Sequence, residues 1–537
     1  MNQLPPEVLE HILLKIHSLD RLKLSAVCRH WSDLLCTPAL LGDVRFVARQ
    51  SITNETASLI LMNTRREYKH LELYSLSLLD FDAMFWGKVG AHLRSLHITV
   101  CKWSSHSFYS ILEHCPRLES LEFVGPYENN VFGLPEALEP PGGANLDKIR
   151  RCLAGVRHLY LKEVRLNGNT LDPLLDCMPN LTSFFLDSSG IDPLGFPEIL
   201  RSMMKCERKF TSLALGHVCT DSRVSKLIDK NAGSLEYLFL ANCRRLGREV
   251  FEAISACSAL RHLGLCEANH IRNSDLRRIF RRIPDLETLT LDVPRPSDGI
   301  FNYINQLRKL KKLRISSRPN LLAVALEIVG RMTTVQDFDI RPHAADLETL
   351  RKLENLKDLR CLRLTGQGYT PESFAWIVEN FQNLMVLDVG FSPMVDSDGV
   401  KLRQLRNLRK FEILDAGDLT DLTFENGVGS SAMWSLCIDD ANITDVGLRN
   451  IVTHHSHLKY LSINGCEELT DDGLLYFIRR APLLQELYMC ATLLTDVSLR
   501  ALETWCPRLH TIRTSPHMSK EARISLRNRR PQVAIKS

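Results

Sequence analysis

"LKYLSINGCEELTDDGLLYFIRRAP" occupies residues 458–482 and "LQELYMCATLLTDVSLRALETWCPR" occupies 484–508, the second phrase returning the residue types of the first to the same places. A return after about 25 positions marks a stacked repeat rather than a globular domain. Each copy opens with apolar residues at L-x-x-L-x-L spacing (Leu458, Leu461, Ile463; Leu484, Leu487, Met489), which puts alternate side chains on one face of a short strand. Leu469-Thr470-Asp471 and Leu494-Thr495-Asp496 follow, then a helical apolar spacing, so Thr470 and Thr495 stand where N-cap hydroxyls belong. One copy is a strand, a turn and a helix.

Read backward, the opening position recurs at Met433, Leu408, Leu384, Leu359, Val335, Leu310, Leu286, Leu260, Leu235, Phe210, Leu181, Val156, Leu118, Leu93 and Tyr68, nearly always 24 to 29 residues apart. A single turn cannot bury its own apolar face; stacked turns bury it between a parallel sheet and a layer of helices. The spacing predicts an α/β repeat solenoid, a leucine-rich-repeat horseshoe with a parallel concave sheet and convex helices, spanning residues 68–515 in about eighteen turns. At about 4.8 Å per strand the concave sheet runs on the order of 80 Å, a surface suited to macromolecules. The one long gap in the period holds a Gly-, Pro- and Asn-rich inserted loop at 126–143, and a basic tail covers 516–537.

The 537 residues are 45% hydrophobic and 24% charged with a net charge of +4, totals that favour neither nucleic acid nor a membrane surface as partner. The N-terminus "MNQLPPEVLE" lacks a basic region followed by an apolar run, and "LLAVALEIVG" from Leu321 is too short to span a bilayer. Many of the sixteen cysteines hold fixed repeat positions, Cys115, Cys177, Cys257 and Cys506 before a strand, Cys101, Cys243 and Cys466 after one. They read as small buried apolar residues in a reducing compartment, cytosol or nucleus. No C-x-x-C pair, phosphate-binding glycine loop, H-E-x-x-H or G-x-S-x-G occurs, so neither metal, cofactor nor catalytic residue is expected. Basic clusters at Arg277, Arg278, Arg281 and Arg282, and at Arg403, Arg406, Arg409 and Lys410, read as solvated helix faces.

Residues 1–41 leave the repeat. Their apolar spacing is helical, Pro5 and Pro6 open a helix, and Asp20 is a candidate N-cap. About forty residues seldom hold a core alone, so this unit leans on the first repeats or on another protein. Leu4-Pro5-x-Glu7, Ile12, Asp20, Val27-Cys28-Arg29-x-Trp31 and Pro38 resemble the F-box, the helical module that docks on the Skp adaptor of cullin-based ubiquitin ligases. The C-P-x-L at Cys115 and Cys506 and the "ITDVGL" at Ile443 resemble the cysteine-containing leucine-rich repeats that accompany it. Two positions depart from the pattern: Arg21 where the family usually has an apolar residue, and Leu41 where many members carry a second Trp.

The resemblance implies an adaptor-facing set of Leu4, Pro5, Glu7, Ile12, Leu13, Ile16, Leu22, Val27 and Trp31, some of which, Trp31 above all, could instead fill the module's own core. Residues 42–67 join module to solenoid as a helical linker. Strand alternation puts Tyr160, Phe185, Tyr237 and Phe239 on the open face of the sheet as an aromatic patch, followed by Arg314, Asp339, Arg363, Asp388 and Glu412 as a charged zone in which Asp339 sits between Arg314 and Arg363. A protein substrate is expected there. The function implied is a non-catalytic substrate-recognition subunit that binds the Skp adaptor, and through it a cullin; the alternative is a scaffold using the same surfaces without delivering ubiquitin.

Overall fold

Each predicted opening from Tyr68 onward is followed two residues later by a strand, because the L-x-x-L-x-L spacing can bury its leucines only by alternating them across an extended segment. In Ser95–Thr99, Leu96 and Ile98 are buried while Ser95, His97 and Thr99 are half-exposed, and Ser120–Val124 repeats the pattern. The computed structural model describes residues 4–16, 21–22, 24–49, 54–125, 146–164, 171, 174–187, 196–216, 223–244, 246–268, 270–292, 299–316, 322–340, 346–364, 369–530 and 533–536. Asp20 and the 126–143 insertion lie outside them.

The chain forms two units, Met1–Tyr237 and Leu238–Ser537. In the first, Arg45–Arg49 pairs with His70–Tyr74, and Ser95–Thr99, Ser120–Val124, His158–Lys162, Ser183–Asp187 and Ser212–Leu215 follow in parallel register. In the second, parallel pairing runs from His262–Leu265 through Thr288–Asp292 and Lys312–Ser316 to Thr511–Thr514 and Ala534–Lys536. Each unit is an α/β repeat solenoid. The parallel direction follows from the helix that returns the chain between most neighbouring strands, such as Ser105–His114 and Asp496–Trp505.

One boundary differs from the sequence expectation, and the tail, which the sequence left open between capping the last turn and staying loose, takes the first course. Residues 42–67 are no linker: they supply the strand Arg45–Arg49 and the helix Asn54–Asn63, and so form the first turn. The basic tail likewise folds, as helix Lys520–Arg529 and strand Ala534–Lys536 laid against Thr511–Thr514. Both segments lack the full leucine pattern because an end turn has a neighbour on one side only.

The turns of the second unit are stitched by carboxylates. Asp421 accepts from the amide and hydroxyl of Thr444 at 2.9 and 2.6 Å, Asp445 from those of Thr470 at 2.9 and 2.6 Å, and Asp471 from those of Thr495 at 2.9 and 2.5 Å. Asp396 serves Thr420 in the same way before them, and Asp496 serves Ser519 after them. Each of these five helices therefore opens with a carboxylate that holds the next turn's capping residue. Thr444 and Thr495 also cap their own helices, accepting from Val446 and Val497, whereas the Thr470 hydroxyl makes no cap bond and gives only to Asp445.

After the strand, Cys101, Cys243 and Cys466 turn inward and donate to the carbonyls of Leu73, Leu240 and Ile438. Burial pushes the Cys101 thiol up to about 11 and those of Cys243 and Cys466 to about 12. The fifteen described cysteines are free thiols.

His455 is held neutral by burial. It is 2% exposed, and its Nε2 accepts from the Val428 amide at 3.1 Å. Burial, with His454 beside it, pushes its pKa from 6.5 down to about 4. Folding then favours the neutral ring, so the stabilisation is complete above pH 6.5 and is lost as pH falls toward 4, by about 3 kcal/mol at about 1.4 kcal/mol per unit. Denaturant melts at pH 7 and pH 4.5 should show that His455→Gln removes this component; an unchanged pH dependence in the variant rejects the assignment.

Candidate functional site

The N-terminal module starts as a helix because Pro5 and Pro6 preset its first turn, and it runs from Pro6 to Leu14. Leu9 and Leu13 point inward and meet Trp31, Leu34, Leu35 and Leu40, with Ile16, Leu24 and Cys28 packed around them. Of the expected adaptor-facing residues, Leu13 (1% exposed) and Trp31 (8% exposed) thus fill the core, and Ile16 and Leu22 are half-buried. Leu4, Pro5, Glu7, Ile12 and Val27 are exposed. Val8, which is not among the expected adaptor-facing residues, joins Leu4 and Ile12 at i, i+4 and i+8, so three large apolar side chains share one face of the helix and its approach.

Arg21, which departs from the family pattern, is the centre of the module. It is 1% exposed; Nε donates to the Leu13 carbonyl at 2.9 Å, and the guanidinium also reaches the carbonyls of Leu40 at 2.7 Å and Ile16 at 2.9 Å. Asp43 completes the fork at 2.6 and 3.2 Å. The carbonyls left open where the first helix ends are thereby satisfied by one side chain. Leu41, in place of the second Trp, is fully buried.

On the open face of the first unit, Tyr160 and Phe185 are register partners and stack with centroids 4.0 Å apart and planes 9° apart. The same row carries a polar run that the sequence reading missed: Arg45–Glu72 at 2.7 Å and His97–Glu122 at 2.7 Å, with Tyr74 donating to Glu72 at 3.1 Å. The signal was present, since Glu72, His97 and Glu122 stand at the strand offset of Tyr160, with Arg45 and Tyr74 reaching Glu72 from other strand positions. Tyr237, 37% exposed, closes this unit. The four aromatic residues do not form one patch within a unit, because Phe239 belongs to the second. There its ring covers Gly264, where an added Cβ would lie 2.2 Å from it.

The charged zone lies wholly in the second unit. Register sets Arg314, Asp339, Arg363, Asp388 and Glu412 side by side. Arg314 reaches Asp339 at 2.6 Å, and Arg363 lies 3.3 Å from Asp337 and 3.9 Å from Asp339. Asp339 is thus neutralised within the sheet, as the strand spacing predicted. Asp388 and Glu412 are adjacent like charges; burial first, then Glu412, raises the Asp388 carboxyl to about 6, and Glu412 pairs with Lys410 at 2.8 Å. Above that pH the row gains a negative charge.

Among the described residues no helix is long and apolar enough to cross a membrane, and no group of three or more His, Cys, Asp or Glu residues could hold a metal.

Comparison with known proteins gives three findings. Residues 1–43 match the F-box-like domain family. GRR1-like protein 1 of Arabidopsis thaliana is 23% identical over 561 residues, covering 94% of this chain and 90% of that protein. Among solved structures, the yeast Rad7 and Elc1 complex contains a chain 12% identical, with 99% of this chain and 90% of that one covered and a TM-score of 0.29; an internalin of Listeria monocytogenes is 14% identical, with 69% and 89% covered and a TM-score of 0.33.

Proposed function

We propose, from the premise that this chain is an F-box and leucine-rich-repeat protein, that it is a non-catalytic substrate-recognition subunit of a Skp- and cullin-based ubiquitin ligase. The observation that carries the reading is the exposed stripe Leu4, Val8 and Ile12, with Val27 at 59% exposure, on a module whose core is already complete behind it. Apolar side chains left outside a finished core mark a surface made for another chain. The Skp adaptor is the partner that an F-box-like domain implies. The thiols of Cys101, Cys243 and Cys466 support a non-catalytic role, since burial raises rather than lowers their pKa and a transfer reaction needs the thiolate. The free thiols of the described cysteines also fit the cytosol or nucleus.

The substrate side of the reading rests on the open sheet faces: the Tyr160–Phe185 stack in the first unit, and in the second Phe239 and the charged row. Half-buried rings are rigid anchors, and the charged row sets orientation around them.

Reconstitution with a Skp-type adaptor and a cullin tests the first half: a stable ternary complex is expected, and an adaptor complex that never recruits cullin supports the scaffold instead. For the second half, Phe185→Ser with Phe239→Ser should lower retention of proteins captured under proteasome inhibition by about ten-fold or more, while adaptor binding is unchanged. Equal capture by this variant removes the aromatic residues from the substrate site.

A further inference from the structure

The edge of the sheet where strands begin carries its own row of side chains, one from each turn, immediately before the strand. In the second unit it includes Arg261, Glu287 and Lys311, each linked to the next by a backbone hydrogen bond from amide to carbonyl. Here the charges alternate and cancel: Glu287 lies 3.4 Å from Arg261 and 2.8 Å from Lys311. Farther along, the same row reads Arg360, Met385, Arg409, Trp434 and Lys459, again joined amide to carbonyl. Apolar residues now stand where the acid should be, and these three cations have no ion pair among the described residues. Arg409 was grouped in the sequence with the helix-face arginines, but it stands at the start of strand Lys410–Leu414.

Arg360, Met385 and Arg409 line one cavity of about 250 Å³ with Asp358, Asn383 and Asn407. Trp434, 40% exposed, extends the row beyond it. The two arginines are two strand intervals apart, about 9.6 Å, and Lys459 is a further two. A polyproline II segment rises about 3.1 Å per residue with three residues per turn, so every third side chain falls on one side at about 9.3 Å. The periods agree, and Met385 and Trp434 fall between the cations, where intervening prolines would rest.

We propose that this edge binds an extended acidic peptide segment with a carboxylate at every third residue, held across the strand starts by Arg360, Arg409 and Lys459 and packed on Met385 and Trp434. The site is independent of the ligase reading, since it needs neither adaptor nor cullin.

The test is fluorescence anisotropy of the full chain with a labelled peptide of repeated Glu-Pro-Pro triplets. Saturable binding that weakens with salt is expected, with an emission change lost in Trp434→Phe. Met385→Glu restores the arrangement seen at Glu287 and should weaken binding by about ten-fold without moving the melting temperature; Arg360→Ser with Arg409→Ser should do the same. Asp358→Asn removes the one carboxylate in the cavity and should tighten binding. Equal affinity of Met385→Glu, equal binding of a Glu-Pro repeat with the wrong spacing, or tighter binding of a single-stranded oligonucleotide would each overturn the proposal.

Discussion

Arg21→Ala should cost about 3 to 5 kcal/mol and unfold the N-terminal module while the repeats stay folded. The residue is 1% exposed, and its donors reach the carbonyls of Leu13, Leu40 and Ile16 as well as Asp43. Alanine leaves the carbonyls of Leu40 and Ile16 without their donor and removes a large, fully buried side chain from the module. Hydrogen exchange of the helix Pro6–Leu14 reads this directly, and native-like protection in the variant would show the clasp to be dispensable. Arg21→Met, which fills the volume without donating, should recover only a small part.

Val8→Asp with Ile12→Asp should abolish adaptor capture, by about a hundred-fold or more, and leave the melting temperature within a degree or so. Both side chains are exposed, at 44% and 39%, so a carboxylate there is hydrated in the free protein and becomes costly only when the adaptor covers it. Trp31→Ala is the contrasting control: at 8% exposure its loss costs about 3 to 5 kcal/mol, so it should lower adaptor binding only together with stability. If the double Asp variant still captures the adaptor at wild-type affinity, the stripe is not the docking face and the ligase reading loses its main support.

The fold was legible because two periods coincide in the sequence, alternation within a strand and a return of about 25 residues between strands. That pairing fixed the open-face residues, and register later joined Arg314, Asp339 and Arg363 as the spacing required. The module was less legible. Leu9 and Leu13 form one helical stripe and Val8 and Ile12 the next, all four apolar, and the sequence cannot say which faces inward until Trp31, Leu34 and Leu40 claim one of them. Arg21 was opaque for a different reason: apart from Asp43, its partners are carbonyls up to nineteen residues away, which have no side-chain signature. The broken charge row at Met385 becomes visible only after each residue is assigned its rank along the sheet edge.

The carboxylate stitching between turns has a direction. Asp421 waits for Thr444, Asp445 for Thr470, Asp471 for Thr495 and Asp496 for Ser519, always the earlier residue serving the later one. During synthesis, at about 5 to 20 residues per second, each of these last turns leaves the ribosome with its acceptor already in place on the turn before it. For the five helices held in this way, growth from the N-terminal side presents each start to a carboxylate that is already there, whereas assembly in the reverse order would leave each of them bare until its predecessor arrived.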